Sequence, residues 1–249
     1  MTRAKVIELT RYSKPWQDAW LTQNDAVIQR AGSQGDGVTV AGSLDNNWTS
    51  FHPHVMQFPV RGAYWYFGGR VAWQKQADIF LKILGQDFHF LACDFEDASL
   101  LNKTGVASAM EFCLYLKAHG QRVIFYTNSS IYQDYVAKYD ASRAAQFPFW
   151  FSWPLPTVAL PSYDVYLPPT PKARPDWTFW QYLFGEHSAD GCEHDVFNGS
   201  VDDLRKWAGV VPVVPDPTVT TSLPVGGVTV NTTLTFHGDQ TVTGTWRPA

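Results

Sequence analysis

The 249-residue sequence has few cysteines and no long apolar segment. Cys93, Cys113 and Cys192 are odd in number, irregularly spaced and without a C-x-x-C pair, which argues against a disulfide framework or a zinc ribbon. No run reaches the roughly 18 apolar residues needed to span a bilayer. The N-terminus also lacks the apolar stretch that marks a secretory signal. We therefore expect free thiols, no membrane span and a soluble chain made in the cytoplasm.

The sequence also lacks a broad positive charge and the glycine-rich motifs of nucleotide-binding proteins. Its net charge is −4, so nucleic acid is not an expected partner. No G-x-S-x-G elbow or glycine-rich phosphate loop is present. The metal-capable residues His52, His54, His187, Cys192 and His194 lack a second clear ligand pair at zinc spacing. We expect neither a metal nor a cofactor.

Aromatic residues, in contrast, are abundant, at 15% of the chain with 11 Trp and 11 Tyr. Their flat apolar faces and polar edges suit stacking on sugar rings, although core packing and protein interfaces use the same property. The hydrophobic content of 45% is enough for a sizeable core. The length fits one large domain with an appendage.

Two carboxylates close a short apolar run. Asp94 and Glu96 follow residues 88–93, which form the pattern of a buried strand. Side chains two apart on a strand share a face, roughly 7 Å from each other. Such a pair can divide its work, because one carboxyl can hold a proton while the other stays ionised. This is the chemistry of glycoside hydrolysis. The alternative is a strand end that caps a helix or forms salt bridges.

Short apolar strands alternate with amphipathic segments along the first 210 residues. This alternation predicts an α/β fold with parallel strands, in which the site gathers at the carboxyl ends of the strands. Asp94, Glu96, Tyr66 and Tyr126 all lie at such ends. The expected strands are 6–9, 38–41, 62–67, 88–93, 122–126, 149–154 and 177–182, and the expected helices are 71–84, 105–119 and 201–207.

The composition changes after Trp207. We expect a barrel domain over residues 1–208, a Pro/Val/Thr-rich linker over 209–225 and a β-hairpin-like tail over 226–249. In that tail, residues 228–236 would pair with 241–246. Because a lone hairpin is only marginally stable in water, it should pack on the barrel, on a second copy or on a partner's sheet edge. A frayed terminal tail is the alternative.

Five short motifs, each weak by itself, occur in an order that is together specific enough to indicate a family. They are G-x-Y-x-Y-F at 62–67, D-x-E at 94–96, I-F-Y-T at 124–127, W-Q-Y at 180–182, and an aspartate followed by G-S and a helix at 195–207. Over about residues 5–208 the sequence resembles the family 25 glycoside hydrolases, the N-acetylmuramidase lysozymes. The resemblance implies an irregular β/α, TIM-like barrel.

The resemblance also implies roles for individual residues. Glu96 matches the proton donor, and Asp94 matches its partner, which acts as a nucleophile or assists attack by the substrate's N-acetyl oxygen. Asp195 matches an acidic residue that helps to shape the catalytic centre. The candidates for sugar binding are Tyr64, Tyr66, Tyr126, Trp150, Gln181 and Arg30.

Two departures from the family pattern bear on activity. Glu8 stands where the family's opening G-I-D-x-S motif has its aspartate, and its extra methylene moves the carboxylate by about 1 Å. Arg30 and Gln34 stand where Lys and Glu are common. We expect a divergent active enzyme rather than a sugar binder, because the donor and its neighbour remain.

The expected function is cleavage of the β-1,4 bond between N-acetylmuramic acid and N-acetylglucosamine, with peptidoglycan glycan strands as the partner. The lack of a secretion signal suits a bacteriophage lysin or a virion-associated hydrolase that acts on the bacterial cell wall, and the tail would serve self-association or docking to a particle. One alternative is a non-catalytic carbohydrate-binding or virion structural protein on the same barrel. Another is a glycosidase acting on a different N-acetylated glycan.

Overall fold

The structure is a computed structural model that describes residues 2–35, 39–85, 87–154 and 168–210, together with the backbone of 218–225 and 228–235. The chain divides into two compact units, Met1–Val210 and Val211–Ala249. Within the described residues, no helix is both long and apolar enough to cross a membrane.

In the described part of the first unit, eight strands close into a barrel in chain order. Strands β1 to β7 run parallel to their neighbours, and β8 is antiparallel to both β7 and β1. The strands are β1 Lys5–Leu9, β2 Ala26–Ser33, β3 Val60–Tyr66, β4 Phe90–Asp94, β5 Val123–Asn128, β6 Phe149–Ser152, β7 Phe179–Leu183 and β8 Glu193–Phe197.

Helices connect the strands and cover the barrel unevenly. The longest, α4, begins after Asn102, whose side chain accepts a hydrogen bond from the Gly105 N–H at 3.0 Å and so caps the helix. The helices are α1 Ala19–Gln23, α2 Trp48–Val55, α3 Trp73–Leu84, α4 Lys103–Ala118, α5 Ser129–Ile131, α6 Ala137–Ala144 and α7 Val201–Ala208, with a π-helical segment at Tyr132–Val136.

The direction of β8 differs from the parallel arrangement that the alternation predicts. Residues 184–192, between β7 and β8, contain only the 3₁₀ turn Gly185–His187. Because a parallel crossover needs a dozen or more residues, so short a connection returns the chain antiparallel. The first residues of β8 therefore lie at the barrel edge where β1 to β7 have their carboxyl ends.

Aromatic side chains fill the lower part of the barrel interior. The rings of Phe90 and Phe179 stack with centroids 5.4 Å apart, and Trp150 packs at 6.5 Å from Phe179. Gly62 lies opposite Phe90, and a Cβ atom at Gly62 would come within 2.1 Å of the Phe90 ring. The described aromatic side chains thus fill this layer, and the polar side chains lie above it at the other end of the barrel.

The strand expected at residues 38–41 is wrong. Residues 41–43 form a turn, in which the Gly42 N–H donates to Thr39 Oγ1 at 2.9 Å and the Ser43 N–H donates to the Val40 carbonyl at 3.2 Å. Val38 lies outside the described residues. The second barrel strand is instead 26–33, where seven consecutive buried residues show no alternation. A strand buried on both faces has no period of two to detect.

The second unit contains a two-stranded antiparallel sheet, β9 Thr218–Val225 and β10 Val228–Thr235. Val228 pairs with Val225 and Thr235 with Thr218. Strand β9 falls in the stretch that the sequence assigned to the linker, and the expected partner strand 241–246 lies outside the described residues. The sequence Gly226-Gly227 between the strands is typical of a two-residue hairpin, whose short reach favours this local pairing.

A chain that ends at residue 210 should fold as stably as the full chain. The closed barrel and helices α1 to α7 all lie before this point. The Val210 N–H, which donates to the Arg205 carbonyl at 2.9 Å, is retained. We expect the two proteins to have the same unfolding temperature, measured by circular dichroism. A lower value for the truncated chain would show that residues 211–249 stabilise the barrel. Light scattering of both proteins tests whether these residues cause self-association.

Candidate active site

Polar side chains at the upper end of the barrel line a pocket of about 140 Å³. It contains eight of the ten site residues expected from the sequence, together with four that were not expected. The lining residues are Glu8, Thr10, Tyr12, Arg30, Tyr64, Tyr66, Asp94, Glu96, Tyr126, Gln181, Phe184 and Glu193.

Asp94 and Glu96 reach this pocket because Phe95 between them is anchored in the barrel wall. The Phe95 N–H donates to the Tyr126 carbonyl at 3.0 Å, and the Phe95 carbonyl accepts from Thr127 Oγ1 at 2.7 Å. The Phe95 ring is buried in the outer core, so its two neighbours face the barrel interior. Asp94 is 6% exposed, and its Oδ1 has no hydrogen-bond partner among the described residues.

Burial raises the pKa of both carboxyls above that of ordinary surface acids. Burial and then the negative charge of Glu193 raise the pKa of Glu96 to about 7, against a smaller lowering by the Asn128 side chain. Burial and then the charge of Glu96 also raise the pKa of Asp94, an effect that Arg30 opposes. Glu96 can therefore hold a proton near neutral pH.

Glu8 and Glu193 form a second carboxyl pair across the β1–β8 junction. They are directly opposite in the strand register. Gln181 Nε2 donates to Glu8 Oε2 at 2.6 Å and to Glu193 Oε2 at 3.1 Å, while Gln181 Oε1 accepts from the Tyr126 hydroxyl at 2.8 Å. Burial and then the charge of Glu193 raise the pKa of Glu8, and burial raises the pKa of Glu193. The Gln181 amide therefore bridges the two carboxyls, and their burial disfavours ionisation of both.

Sequence reasoning missed Glu193. The rule that functional residues follow the carboxyl ends of strands passes over a residue that begins a strand. Glu193 reaches the pocket only because β8 runs in the opposite direction. The available signal was the short 184–192 connection, which forces this reversal.

Arg30 is the one cation among the described residues that line the pocket. Its Nε lies 3.4 Å from Asp45 Oδ2, and its guanidinium carbon lies 5.1 Å from the ring centroid of Tyr66 and 6.0 Å from that of Tyr64. The aromatic rings and Asp45 hold the guanidinium at the pocket. One positive charge thus faces four carboxyl groups.

Trp150 and Asp195, the other two residues expected in the site, lie below the pocket and not in its lining. Both residues are 0% exposed, and Trp150 Nε1 donates to Asp195 Oδ1 at 2.7 Å. The Tyr126 ring packs on Trp150 at 4.4 Å. Trp150 and Ser152 are two residues apart on β6, so both side chains point into the barrel. Trp150 lies one layer further from the pocket than Ser152. The Trp150–Asp195 pair forms a floor that supports Tyr126.

The histidines noted in the sequence lie in separate environments. His52 and His54 pack on Trp48 and Trp16, with ring centroids at 5.1 and 4.4 Å. His194 Nε2 lies 3.1 Å from both Ser188 Oγ and Asp190 Oδ1. Among the described residues, no group of three or more His, Cys, Asp or Glu residues has an arrangement that could hold a metal ion.

The sequence also matches a known protein family. The model of the glycosyl hydrolases family 25 matches residues 52–189, more than half of the chain. The chain belongs to glycoside hydrolase family 25. It is therefore a glycoside hydrolase, and its barrel is of the TIM-like kind. No curated protein matches the chain significantly.

Solved structures with the same fold include enzymes that act on bacterial walls. A family 25 glycosyl hydrolase from Bacillus anthracis is 17% identical, with a TM-score of 0.64 over 82% of this chain and 93% of its own. The spore cortex lytic enzyme SleM of Clostridium perfringens is 18% identical, with a TM-score of 0.62 over 90% and 74%. The modular Cpl-1 endolysin, complexed with a peptidoglycan analogue, is 15% identical, with a TM-score of 0.60 over 93% and 62%.

The buried carboxyls of this family 25 enzyme predict that its stability falls as the pH rises. A raised native pKa means that the native state binds more protons than the unfolded state, so the contribution of Glu8 is present below its ordinary pKa of 4.5 and is lost as the pH rises through its native value. We expect Glu8→Gln to reduce the difference in the free energy of unfolding between pH 5.5 and pH 8, measured by urea denaturation.

Glu111→Gln is the matched control for this experiment. Glu111 lies on α4 at the outer surface, in an ion pair with Arg143. Its variant should keep the wild-type dependence of stability on pH. An unchanged dependence in Glu8→Gln would contradict a raised native pKa at Glu8.

Proposed function

We propose that this enzyme is a lysozyme that hydrolyses peptidoglycan at the β-1,4 bond between N-acetylmuramic acid and N-acetylglucosamine. The observation that carries the proposal is the Asp94–Glu96 pair, in which Glu96 keeps a proton near neutral pH while Asp94 shares the pocket with Arg30. The likeness to a spore cortex lytic enzyme and to an endolysin complexed with a peptidoglycan analogue supports the choice of substrate.

In the proposed mechanism, Glu96 donates its proton to the glycosidic oxygen as the bond to the anomeric carbon breaks. The ionised Glu96 then removes a proton from the water that completes hydrolysis. Asp94 either attacks the anomeric carbon or orients the substrate's acetamido group so that its oxygen attacks. Asp94 lines the pocket beside Glu96, which places it for either contact.

The Glu8–Glu193 pair supports this division of work. If both carboxyls were ionised, their charge would raise the pKa of Asp94 further and would oppose its ionisation. The raised pKa of Glu8 favours a proton on that carboxyl, and the Gln181 amide donates to both carboxyls, so the negative charge on this side of the pocket is reduced. Glu8 therefore serves this enzyme in place of the shorter aspartate, because its length lets it meet both Gln181 and Glu193.

Tyr64, Tyr66 and Tyr126 complete the proposed sugar-binding surface. All three line the pocket with Arg30 and Gln181. The Tyr66 ring is partly exposed, which suits contact with a pyranose face. We further propose that the enzyme acts on the bacterial wall as a phage lysin or a particle-borne component. Residues 211–249 would then serve attachment or self-association.

Digestion of purified peptidoglycan should release fragments with muramic acid at the reducing end, identified by mass spectrometry after borohydride reduction. The wild-type protein without substrate and the boiled protein are the controls. Glucosamine at the reducing end would identify a different glycosidase. Binding to intact walls without any release would indicate the sugar-binding alternative.

Glu96→Gln should lower kcat by a hundredfold or more while leaving the fold intact, because the amide cannot supply a proton. In the wild type, kcat/KM should fall above about pH 7 as Glu96 loses its proton. Asp94→Asn should also be severely impaired. The Glu111→Gln variant should keep wild-type rates. Normal turnover by folded Glu96→Gln, or a flat alkaline limb, would remove Glu96 from the donor role.

A further inference from the structure

Arg30 lies where strand β2 becomes irregular. The register of β2 against β3 shifts between Arg30 and Gly32. An irregularity of this kind changes the direction in which side chains point and is common beside active sites. The arginine side chain is also long and flexible. The groups that contact the guanidinium therefore decide whether it lies at the pocket.

A short segment, residues 43–45, packs beside this irregular part of β2. Leu44 forms an isolated antiparallel bridge with Gly32, and the Asp45 N–H donates to the Ala31 carbonyl at 2.9 Å. A Cβ atom at Gly32 would lie 2.1 Å from the Ser43 carbonyl oxygen, so glycine is needed for this close approach. The backbone contacts thus place the Asp45 side chain next to the end of β2.

The Asp45 carboxylate is fixed on one oxygen and contacts Arg30 with the other. Its Oδ1 accepts from the Asn47 N–H at 3.0 Å, and its Oδ2 lies 3.4 Å from Arg30 Nε. The side chains of Asp45 and Arg30 are 2% and 10% exposed. Arg11 adds a second positive charge near Asp45. Because both partners of the Asp45–Arg30 pair are buried, removing either one leaves the other charge poorly compensated.

The charge of Arg30 acts selectively on one member of the acid pair. Burial and the charge of Glu96 raise the pKa of Asp94, and Arg30 opposes this rise. The pKa of Glu96 is instead set by burial, by Glu193 and by Asn128. The other titratable groups that line the pocket with Asp94 are Glu8, Glu96 and Glu193 and the hydroxyls of Tyr64, Tyr66 and Tyr126.

We propose that Asp45 is a positioning residue for the reaction, which holds the Arg30 guanidinium at the pocket and so keeps Asp94 ionised at acid pH. Asp45 does not line the pocket and acts only through Arg30. It thereby sets the lower end of the pH range in which the enzyme works. This inference rests on the proposed function, because the ionised form of Asp94 is the one that the proposed mechanism uses.

The test is the pH dependence of kcat/KM on soluble peptidoglycan fragments. We expect Asp45→Asn to move the acid limb upward by about one pH unit, because Asp94 loses a nearby positive charge. The alkaline limb, which reports Glu96, should stay in place. Asp45→Glu should restore the wild-type limb, since a cavity of about 30 Å³ lined by Asp45 and Arg30 has room for one more methylene.

A double variant tests whether Asp45 acts through Arg30. Arg30→Met should move the acid limb as far as Asp45→Asn does, and the double variant should move it no further. Asp176→Asn is the matched control. Asp176 pairs with Arg174, a buried arginine outside the pocket, at 3.1 Å. Its variant should keep the wild-type pH profile.

Three results would each overturn the inference. A downward shift of the acid limb in Asp45→Asn would show that Asp45 only competes with Asp94 for a guanidinium that stays in place. An equal loss of rate at every pH would show a purely structural role. A further shift in the double variant would show that Asp45 acts independently of Arg30.

If Asp45→Asn does not fold, as judged by circular dichroism, Arg30→Met decides the matter, because an unmoved acid limb in that variant also overturns the inference. Failure of the proposed function would look different. In that case the wild-type protein itself would release no muramic-acid-ended fragment from peptidoglycan.

Discussion

The crowding of carboxyl groups at one end of a closed barrel determines the chemistry of this enzyme. Four carboxyl groups face one small space, in which the described residues supply a single cation, Arg30; they are those of Glu8, Asp94, Glu96 and Glu193. Each ionised carboxylate there loses hydration and repels the others, so protons are retained to a higher pH than in water. Burial and then the charge of Glu193 thus raise the pKa of Glu96 to about 7, so that it keeps a proton near neutral pH.

The lower barrel makes this crowding possible by giving the carboxyls a rigid floor. Phe90, Phe179 and Trp150 fill the interior, and Gly62 yields the space that the Phe90 ring occupies. Trp150 then holds the buried Asp195 by a hydrogen bond and supports the Tyr126 ring. Since Tyr126 donates to Gln181, this packing also sets the amide that bridges the second carboxyl pair. Tyr126 therefore links the packing of the lower barrel to the hydrogen bonds of the Glu8–Glu193 pair.

Local sequence patterns were enough to predict the acid pair and the type of fold. The positions of Asp94 and Glu96 depend only on the alternation of a strand and on the apolar run before it, which are local properties. The amphipathic pattern likewise predicted α3 and α4 to within two residues of their observed starts. The ordered motifs identified the family, since they mark the ends of successive strands. These features need no knowledge of long-range contacts.

Tertiary structure alone decided how deep Trp150 lies, in which direction β8 runs and which carboxyl pairs with Glu8. Alternation points Trp150 inward, but only the stagger of the strands places it below the pocket. Glu193 enters the site because β8 is reversed, and Glu8 finds it because the barrel closes β8 against β1, 185 residues apart in sequence. Two loops that are distant in sequence, one after β1 and one between β7 and β8, meet where Lys14 Nζ donates to the Ala189 carbonyl. Such contacts arise from barrel closure, which a short segment of sequence cannot encode by itself.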